Sequence, residues 1–476
     1  MSVFPRNMRE SGGPARANRW HFIPRICDGL KDLQFSAASF LAVYAFLLLC
    51  IPSRLIVQPI GSPGTPANLW GMLALFWWCL ITVGGKNPVR GFTATRAAAA
   101  LLTASVLLSY AAANAHGWFA PANIRQSTDE AWTLVAVNAD ALASTMISAA
   151  DRGLMSFAGW LGVMLVAADG LRGWNDIEKV CKWLSIFGSI VASLAIIQYF
   201  AGLDIAGLFN IPGLSANSDF GSVDSRSILN RVASTATHPI EFGVVMATLF
   251  FVALHRAIFS RGSPTCWMCP ALIGIALPMS VSRSAILALA VAGLVVFLAW
   301  PSSWRLRAVV ILPFAAVGMR LMAPGLGGTI RSLFTNIGND PSITGRTDDY
   351  GPVLALYSDH WLLGRGLFTF VPRNYRILDN QLLMTLLELG ILGLLALLLV
   401  VVVAVNNTLR AYRSGATLRQ RSLAISVAGS ICGAVLSYLT FDALGFPMIA
   451  GLSFLLFGLA GAIARSSATA INDQVA

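Results

Sequence analysis

Residues 385–405 read TLLELGILGLLALLLVVVVAV, with one acid, Glu388, and no basic residue. At 1.5 Å of rise per residue, a helix of that length crosses the ~30 Å hydrocarbon core of a bilayer. The rest of the chain has the same character. Apolar residues make up 56% of the 476 positions and charged residues 12%, about half the charged share a soluble surface carries. Two or three soluble domains are excluded. Scanning outward from 385–405 gives twelve apolar ranges: 35–53, 68–85, 97–114, 153–169, 183–203, 239–255, 264–282, 284–300, 306–322, 382–405, 422–440 and 444–464. The fold class is therefore an all-α polytopic integral membrane protein of about 12 transmembrane helices. Ranges seven and eight meet at Ser282-Arg283 with almost no loop between them.

Charge sets the direction. The net charge is +11, with 33 basic and 22 acidic residues. In a membrane protein this excess orients the chain, so no nucleic-acid partner is read from it. With the N-terminus inside, 21 of the 33 basic residues fall on inner segments, including every lysine: Lys31, Lys86, Lys179 and Lys182. The partition predicts a basic cytoplasmic segment at 1–34, a membrane domain at 35–464 and a short disordered cytoplasmic tail at 465–476. The first 34 residues lack a signal-peptide apolar core, so the first span is read as an uncleaved anchor. Outer segments are expected at 115–152, 204–238 and 323–381. The last is a long periplasmic loop between helices 9 and 10, in which 348–360, DDYGPVLALYSDH, reads as a short amphipathic helix.

The outer side keeps arginine and excludes lysine. Arg226, Arg231, Arg283, Arg320, Arg331, Arg346, Arg365, Arg373 and Arg376 all fall there. Singly they read as interface anchors. As a set they suit a diphosphate, whose oxygens a guanidinium fork grips in pairs. Arg283 sits between two apolar runs, where an unpaired charge costs ~2.5–3.5 kcal/mol on insertion scales. Asp379, followed by Asn380, stands at the mouth of span ten. It fits two roles that do not exclude each other, a general base and a helix N-cap. His238, Glu241 and His360 are further acid–base candidates, with packing or capping as their ordinary reading. Asp348-Asp349 reads as a helix start, and Cys266-Trp-Met-Cys269 has no second ligand pair at zinc spacing.

Several patterns resemble, in order, the O-antigen ligase and polymerase family of membrane glycosyltransferases. Arg231, His238-Pro239 and Gly243 look like its Arg…His-Pro…Gly stretch. Ser282-Arg283-Ser284 is similar to its Ser-Arg-Ser segment. Gly345-Arg346 and 360–366, HWLLGRG, resemble its Gly-Arg…His-Pro-Leu-Leu-Gly-x-Gly loop, with Trp361 in place of Pro. Asp379-Asn380 followed by Gly390-Ile391-Leu392-Gly393 looks like the motif before its tenth span, with Asp379 where ligases carry His. An aspartate there still supplies a base, but not one that stays neutral near pH 7. This tilts the reading from ligase towards a capsule, exopolysaccharide or O-antigen polymerase.

The resemblance implies sugar transfer at the outer face of a bacterial inner membrane. The donor is a polyprenyl-diphosphate-linked oligosaccharide, the acceptor a glycan or lipid hydroxyl, and membrane lipid surrounds both. Asp379 and Asn380 take the catalytic positions, Arg231, Arg283 and Arg346 bind the diphosphate, and His238, Glu241, His360 and Arg365 are secondary candidates. The diphosphate already activates the donor, so neither a cofactor nor a metal is expected, and direct displacement inverts the anomeric centre. A chain-length regulator or a flippase would be the protein partner. The rival class is a 12-helix transporter or flippase. Against it, the loop after span two, GKNPVRGFTATR, has no transporter signature, and the long loop follows span nine, not span six. The topology has a direct test. In a cysteine-free background, Asp340→Cys should react with an impermeant maleimide in intact cells opened only at the outer membrane. Reaction only after the inner membrane is permeabilised would invert the topology.

Overall fold

In hydrocarbon every backbone N–H and C=O needs a partner within the protein, and a helix supplies those partners locally. The computed structural model shows this outcome along the chain. It describes residues 36–89, 91–116, 139–217, 231–260, 263–322, 348–371 and 377–475. All but Ser36 belong to the unit Ala37–Ala476.

The described helices are α1 (Ala37–Leu49), α2 (Pro66–Val83), α3 (Ala94–His116), α4 (Ala139–Gly170), α5 (Trp174–Ala201), α6 (Pro239–Ile258), α7 (Thr265–Ala276), α8 (Arg283–Ala299), α9 (Ser302–Met322), α10 (Tyr350–Asp359), α11 (Gln381–Ser414), α12 (Leu418–Ser437) and α13 (Pro447–Val475). Two-residue strands, Leu55–Ile56 and Ser215–Ala216, pair antiparallel. Each of the twelve apolar ranges contains a helix, and 348–360 holds α10. By length and apolarity, seven stretches among the described residues suffice to cross a membrane: α2, α3, Ser144–Gly170, α5, α6, α11 and Pro447–Ala468. α1, α7 with the turn after it, and α8 are shorter apolar helices.

Two boundaries differ from the sequence reading, and two elements show features it did not give. α4 begins at Ala139, so the second half of the expected outer segment 115–152 is helix. α12 carries Arg419 and Arg421 in its first turn and serines along its length, and nearly every residue from Ser422 to Ser437 is buried. A helix enclosed by other helices need not match lipid. The tail after Arg465, expected to be disordered, continues α13 to Val475. Between α7 and α8 a 3-10 turn, Leu277–Ser280, and Val281 in the left-handed region (φ 48°) form a true corner.

The helix ends gather in two groups. At one end Arg96 pairs with Asp169 at 2.7 Å, and Trp78 Nε1 donates to the same carboxylate at 2.7 Å. Arg419 pairs with Glu178, and Arg465 Nε donates to the Ala168 carbonyl at 2.9 Å. Lys179 and Lys182 lie in the first turns of α5, and Lys86 follows α2. The opposite end collects the N-termini of α6, α8, α11 and α13 and the C-terminus of α12. α12 and α8 are antiparallel and close, since a Cβ on Gly433 would lie 2.7 Å from the Ala288 carbonyl and one on Gly429 2.8 Å from that of Ala292.

α11 is not one continuous helix. Gly390, at φ 65° and ψ −170°, breaks it nine residues in. The groups released by the break are taken up by the loop after α10. Arg365 and Gly366 donate their N–H groups to the Leu387 and Glu388 carbonyls at 3.1 and 2.8 Å. Ile391 and Leu392 donate theirs to the Trp361 and Leu362 carbonyls at 2.9 and 3.3 Å. The two backbones touch at glycines: a Cβ on Gly364 (φ 69°) would stand 2.4 Å from Glu388 carbonyl atoms, and one on Gly390 2.4 Å from those of Leu362. Replacement Gly364→Ala or Gly390→Ala should therefore lower stability by several kcal/mol, since the left-handed strain alone is worth ~1–3 kcal/mol and the contact is backbone on backbone. Gly351→Ala in α10, with nothing within 4 Å of the new Cβ, is the control. Melting temperatures in detergent check this; equal values for Gly364→Ala and Gly351→Ala would contradict it.

Candidate active site

The segment leading to α6 is held from three sides. Ser234 donates its N–H to Gln198 Oε1 at 2.8 Å and its hydroxyl to the Val191 carbonyl at 2.9 Å. The Thr235 hydroxyl donates to the Leu49 carbonyl at 2.6 Å, and the Thr235 carbonyl accepts the Ser53 N–H at 2.8 Å. Its start lies along the corner between α7 and α8, where Val232 N–H meets the Met279 carbonyl and Arg231 Nε the Ser280 carbonyl, both at 3.4 Å. Three residues beyond Ser280, Arg283 opens α8, whose N-cap Ser282 accepts the Ala285 N–H. Arg231 and Arg283, fifty-two positions apart in sequence, thus flank one turn.

His238 caps α6. Its Nδ1 accepts the Ile240 N–H at 3.1 Å, which puts the proton of the neutral ring on Nε2. Its ring centroid is 6.1 Å from that of Phe446. Glu241 is fully buried and tied to four donors: Thr237 N–H and hydroxyl at 2.8 and 2.7 Å, and Met448 and Ile449 N–H at 2.7 and 3.3 Å. One carboxylate therefore braces the first turn of α6 against the N-terminus of α13, where a negative charge is favoured.

At the mouth of α11 the cap is Asn380. Its Oδ1 accepts the Leu382 and Leu383 N–H groups at 3.0 and 3.2 Å. Asp379, read from sequence as a cap or a base, stands one residue outside the helix, and the capping position belongs to its neighbour. Gln381 then ties the helix to the turn between α12 and α13: its N–H donates to the Tyr438 carbonyl and its Oε1 accepts the Leu444 N–H, both at 2.7 Å. Between those two attachments lies Asp442, which the sequence reading missed. It is the sole acid within 422–464, and that isolation was the available signal. Asp442 Oδ1 accepts the Gly445 N–H at 3.2 Å. Burial first, and then the charge of Asp379 nearby, push the Asp442 carboxyl up to about 6.

His360 is exposed at the C-terminus of α10. Arg365, half-buried, follows on the loop that rests on α11. Arg346 lies outside the described residues, as do Arg226, Arg331, Arg373 and Arg376. Among the described residues three non-glycine positions have positive φ: Ser234, Val281 and Phe368. They fall in the segment before α6, the corner before α8 and the loop on α11. Such strain persists only where the surroundings fix it, and it concentrates at functional sites. Among the described residues no group of three His, Cys, Asp or Glu side chains is placed to hold a metal ion.

Residues 269–398 match the family model described as O-antigen ligase. The match supports assignment to the O-antigen ligase/polymerase family and indicates glycan transfer of that general type. With the apolar helices it indicates a multi-pass bacterial membrane protein. The matched stretch contains Arg283, Arg365, Asp379 and Asn380 but not Arg231, His238, Glu241 or Asp442. No curated protein matches the sequence.

The raised Asp442 has a consequence for stability. A carboxyl that binds its proton more tightly when folded loses stability as pH rises from its unfolded value, near 4, through its folded value, about 6. Asp442→Asn, which keeps an acceptor for Gly445, should raise the melting temperature by a few degrees at pH 7. The gain should shrink at pH 4 and all but vanish at pH 3, below both values, where the carboxyl is largely protonated in both states. A gain equal at both pH values would assign it to packing.

Proposed function

With the chain taken as a member of the O-antigen ligase/polymerase family, we propose that it joins polyprenyl-diphosphate-linked oligosaccharide units at the outer face of the bacterial inner membrane. The observation that carries this reading is the gathering of Arg231, Arg283, Asp379 and Asp442 around the helix ends opposite the lysine-bearing end. With about twelve crossings and both termini in the cytoplasm, that gathering faces the periplasm, where lipid-linked donors are presented. Arg346, from the 323–381 loop, is the third diphosphate ligand in this reading.

The chemistry needs two things. The acceptor hydroxyl attacks the anomeric carbon as the bond to the diphosphate breaks. The hydroxyl proton passes to Asp379, and the departing electron pair stays on the lipid diphosphate. Arginine forks stabilise that growing charge where it develops, and a positioned carboxylate supplies the base. Direct displacement inverts the configuration, with no metal or cofactor in the scheme. Asn380, as the cap of α11, fixes the backbone from which Asp379 projects. Glu241, bound to four donors, serves as a brace.

An aspartate at the base position favours a polymerase, with a lipid-linked glycan as acceptor. A ligase would instead move finished glycan onto a lipid core. A deletion strain separates the two: loss of a polymerase leaves single repeat units, whereas loss of a ligase leaves finished polymer on its carrier.

Purified Asp379→Asn should fold as wild type yet turn over lipid-linked donor ~10²–10⁴-fold more slowly, the usual worth of a positioned base. Near-normal turnover would remove Asp379 from the chemistry. Arg231→Lys and Arg283→Lys should each impair transfer, because a point charge cannot reproduce the guanidinium fork. Full activity of both would reduce them to anchors.

A further inference from the structure

The break in α11 carries a carboxyl that the scheme above does not use. Glu388 is 2% exposed and lies two residues before Gly390. Its backbone carbonyl accepts the Gly366 N–H and the Ser109 hydroxyl, both at 2.8 Å. The Ser109 oxygen in turn accepts the Gly366 N–H at 3.1 Å. The Glu388 side chain reaches along the same loop, where its Oε1 accepts the Phe370 N–H at 3.2 Å. One residue therefore holds the loop at both ends of its turn, by carbonyl at Gly366 and by carboxyl at Phe370.

The turn itself is tightly wound. Phe368 sits at φ 63°, a conformation disfavoured for a bulky side chain. The Thr369 hydroxyl donates to the Gly366 carbonyl at 2.6 Å, and the Phe368 ring packs on Trp160 with centroids 6.1 Å apart. Arg365 enters this turn with its own N–H fixed on the Leu387 carbonyl. An ionisable group at such depth is disfavoured by hydrocarbon. An unbroken helix with apolar residues at 388 and 390 would span the membrane without it. What that helix could not do is hold the 364–370 turn.

We infer that Glu388 is a positioning residue for glycan transfer: it clamps the 364–370 turn onto the broken helix and so fixes the backbone that presents Arg365 to the donor diphosphate. The role of Arg365 rests on the proposed function; the clamp does not. The carboxyl acts as an acceptor of backbone N–H groups, so an amide oxygen at the same place should serve in its stead.

The test uses full-length protein in detergent and four variants: Glu388→Ala, Glu388→Gln, Ser109→Ala and Arg365→Lys. Two quantities are read, hydrogen exchange of the 364–371 amides and steady-state kinetics with a polyprenyl-diphosphate-linked oligosaccharide. Glu388→Ala should speed exchange of that turn about tenfold or more, the scale of one lost charge-assisted hydrogen bond. It should raise KM for the donor by a similar factor, with a smaller change in kcat. Glu388→Gln should stay near wild type in both. Arg365→Lys should raise KM without opening the turn, and adding Glu388→Ala to it should raise KM less than the product of the two single effects. Wild-type exchange in Glu388→Ala, an opened turn with unchanged KM, or damage in Glu388→Gln equal to that in Glu388→Ala would each overturn the inference. If Glu388→Ala does not fold, Glu388→Met, which keeps the side-chain bulk but removes the acceptor, carries the same comparison, and Ser109→Ala reports separately on the hold at Gly366. If wild type transfers nothing from the donor, the proposed function fails, and the exchange data alone decide whether Glu388 is the clamp.

Discussion

The closing of a broken helix by a loop is the constraint on which this end of the bundle depends. Gly390 interrupts α11 and leaves the Leu387 and Glu388 carbonyls and the Ile391 and Leu392 N–H groups without helical partners. Left open inside a bilayer, each would cost several kcal/mol. The 361–366 loop supplies all four partners from its own backbone, and only glycines at 364 and 390 let the two chains approach so closely. Break and loop are therefore one unit: neither is stable where it stands without the other. The unit ties the approach to α11, with Asp379 and Asn380, to the loop that carries Arg365.

The same economy of parts recurs at the neighbouring helix ends. Asn380 caps α11, Ser282 caps α8 and His238 caps α6, each satisfying N–H groups that a helix leaves unpaired. Glu241 joins two N-termini with one carboxylate, and Gln381 joins α11 to the α12–α13 turn on either side of Asp442. Polar residues that look catalytic in a list of acids and histidines thus divide into those that hold the frame and those left at its mouth. Asp379 stands one residue outside α11, whose cap is its neighbour Asn380. The strained turns at Ser234, Val281 and Phe368 mark the three segments that this frame holds in place.

Much of the frame was legible beforehand because it follows from local composition. Each apolar range holds a helix, since the pressure to pair backbone groups acts on every segment separately. The Ser282-Arg283 corner was readable from a charge between two apolar runs, and α10 from its amphipathic spacing. The errors were at places where neighbours change the rules. α4 extends into an expected loop, and α13 runs on past Arg465. Asp442 stands out in sequence only as the sole acid within 422–464; that it lies beside Asp379 depends on the packing of α11 on the α12–α13 turn.

By itself, the sequence determined that this chain is a helical membrane protein with its lysines towards one side, because hydrophobicity and charge act residue by residue. It also led to the expectation that Arg231, Arg283 and Asp379 share one side of the membrane, since sidedness needs only the order of spans. Tertiary structure decided which of those residues meet. Arg231 reaches the corner of Arg283 through a hydrogen bond to a carbonyl forty-nine positions away, and Asp379 meets Asp442 because Gln381 bridges two turns. Whether Asp379 or Asn380 caps α11, and whether Glu241 and Glu388 are bases or braces, depends on which backbone N–H groups lie within about 3 Å. Those distances are fixed by packing between segments far apart in the chain, and no local pattern encodes them.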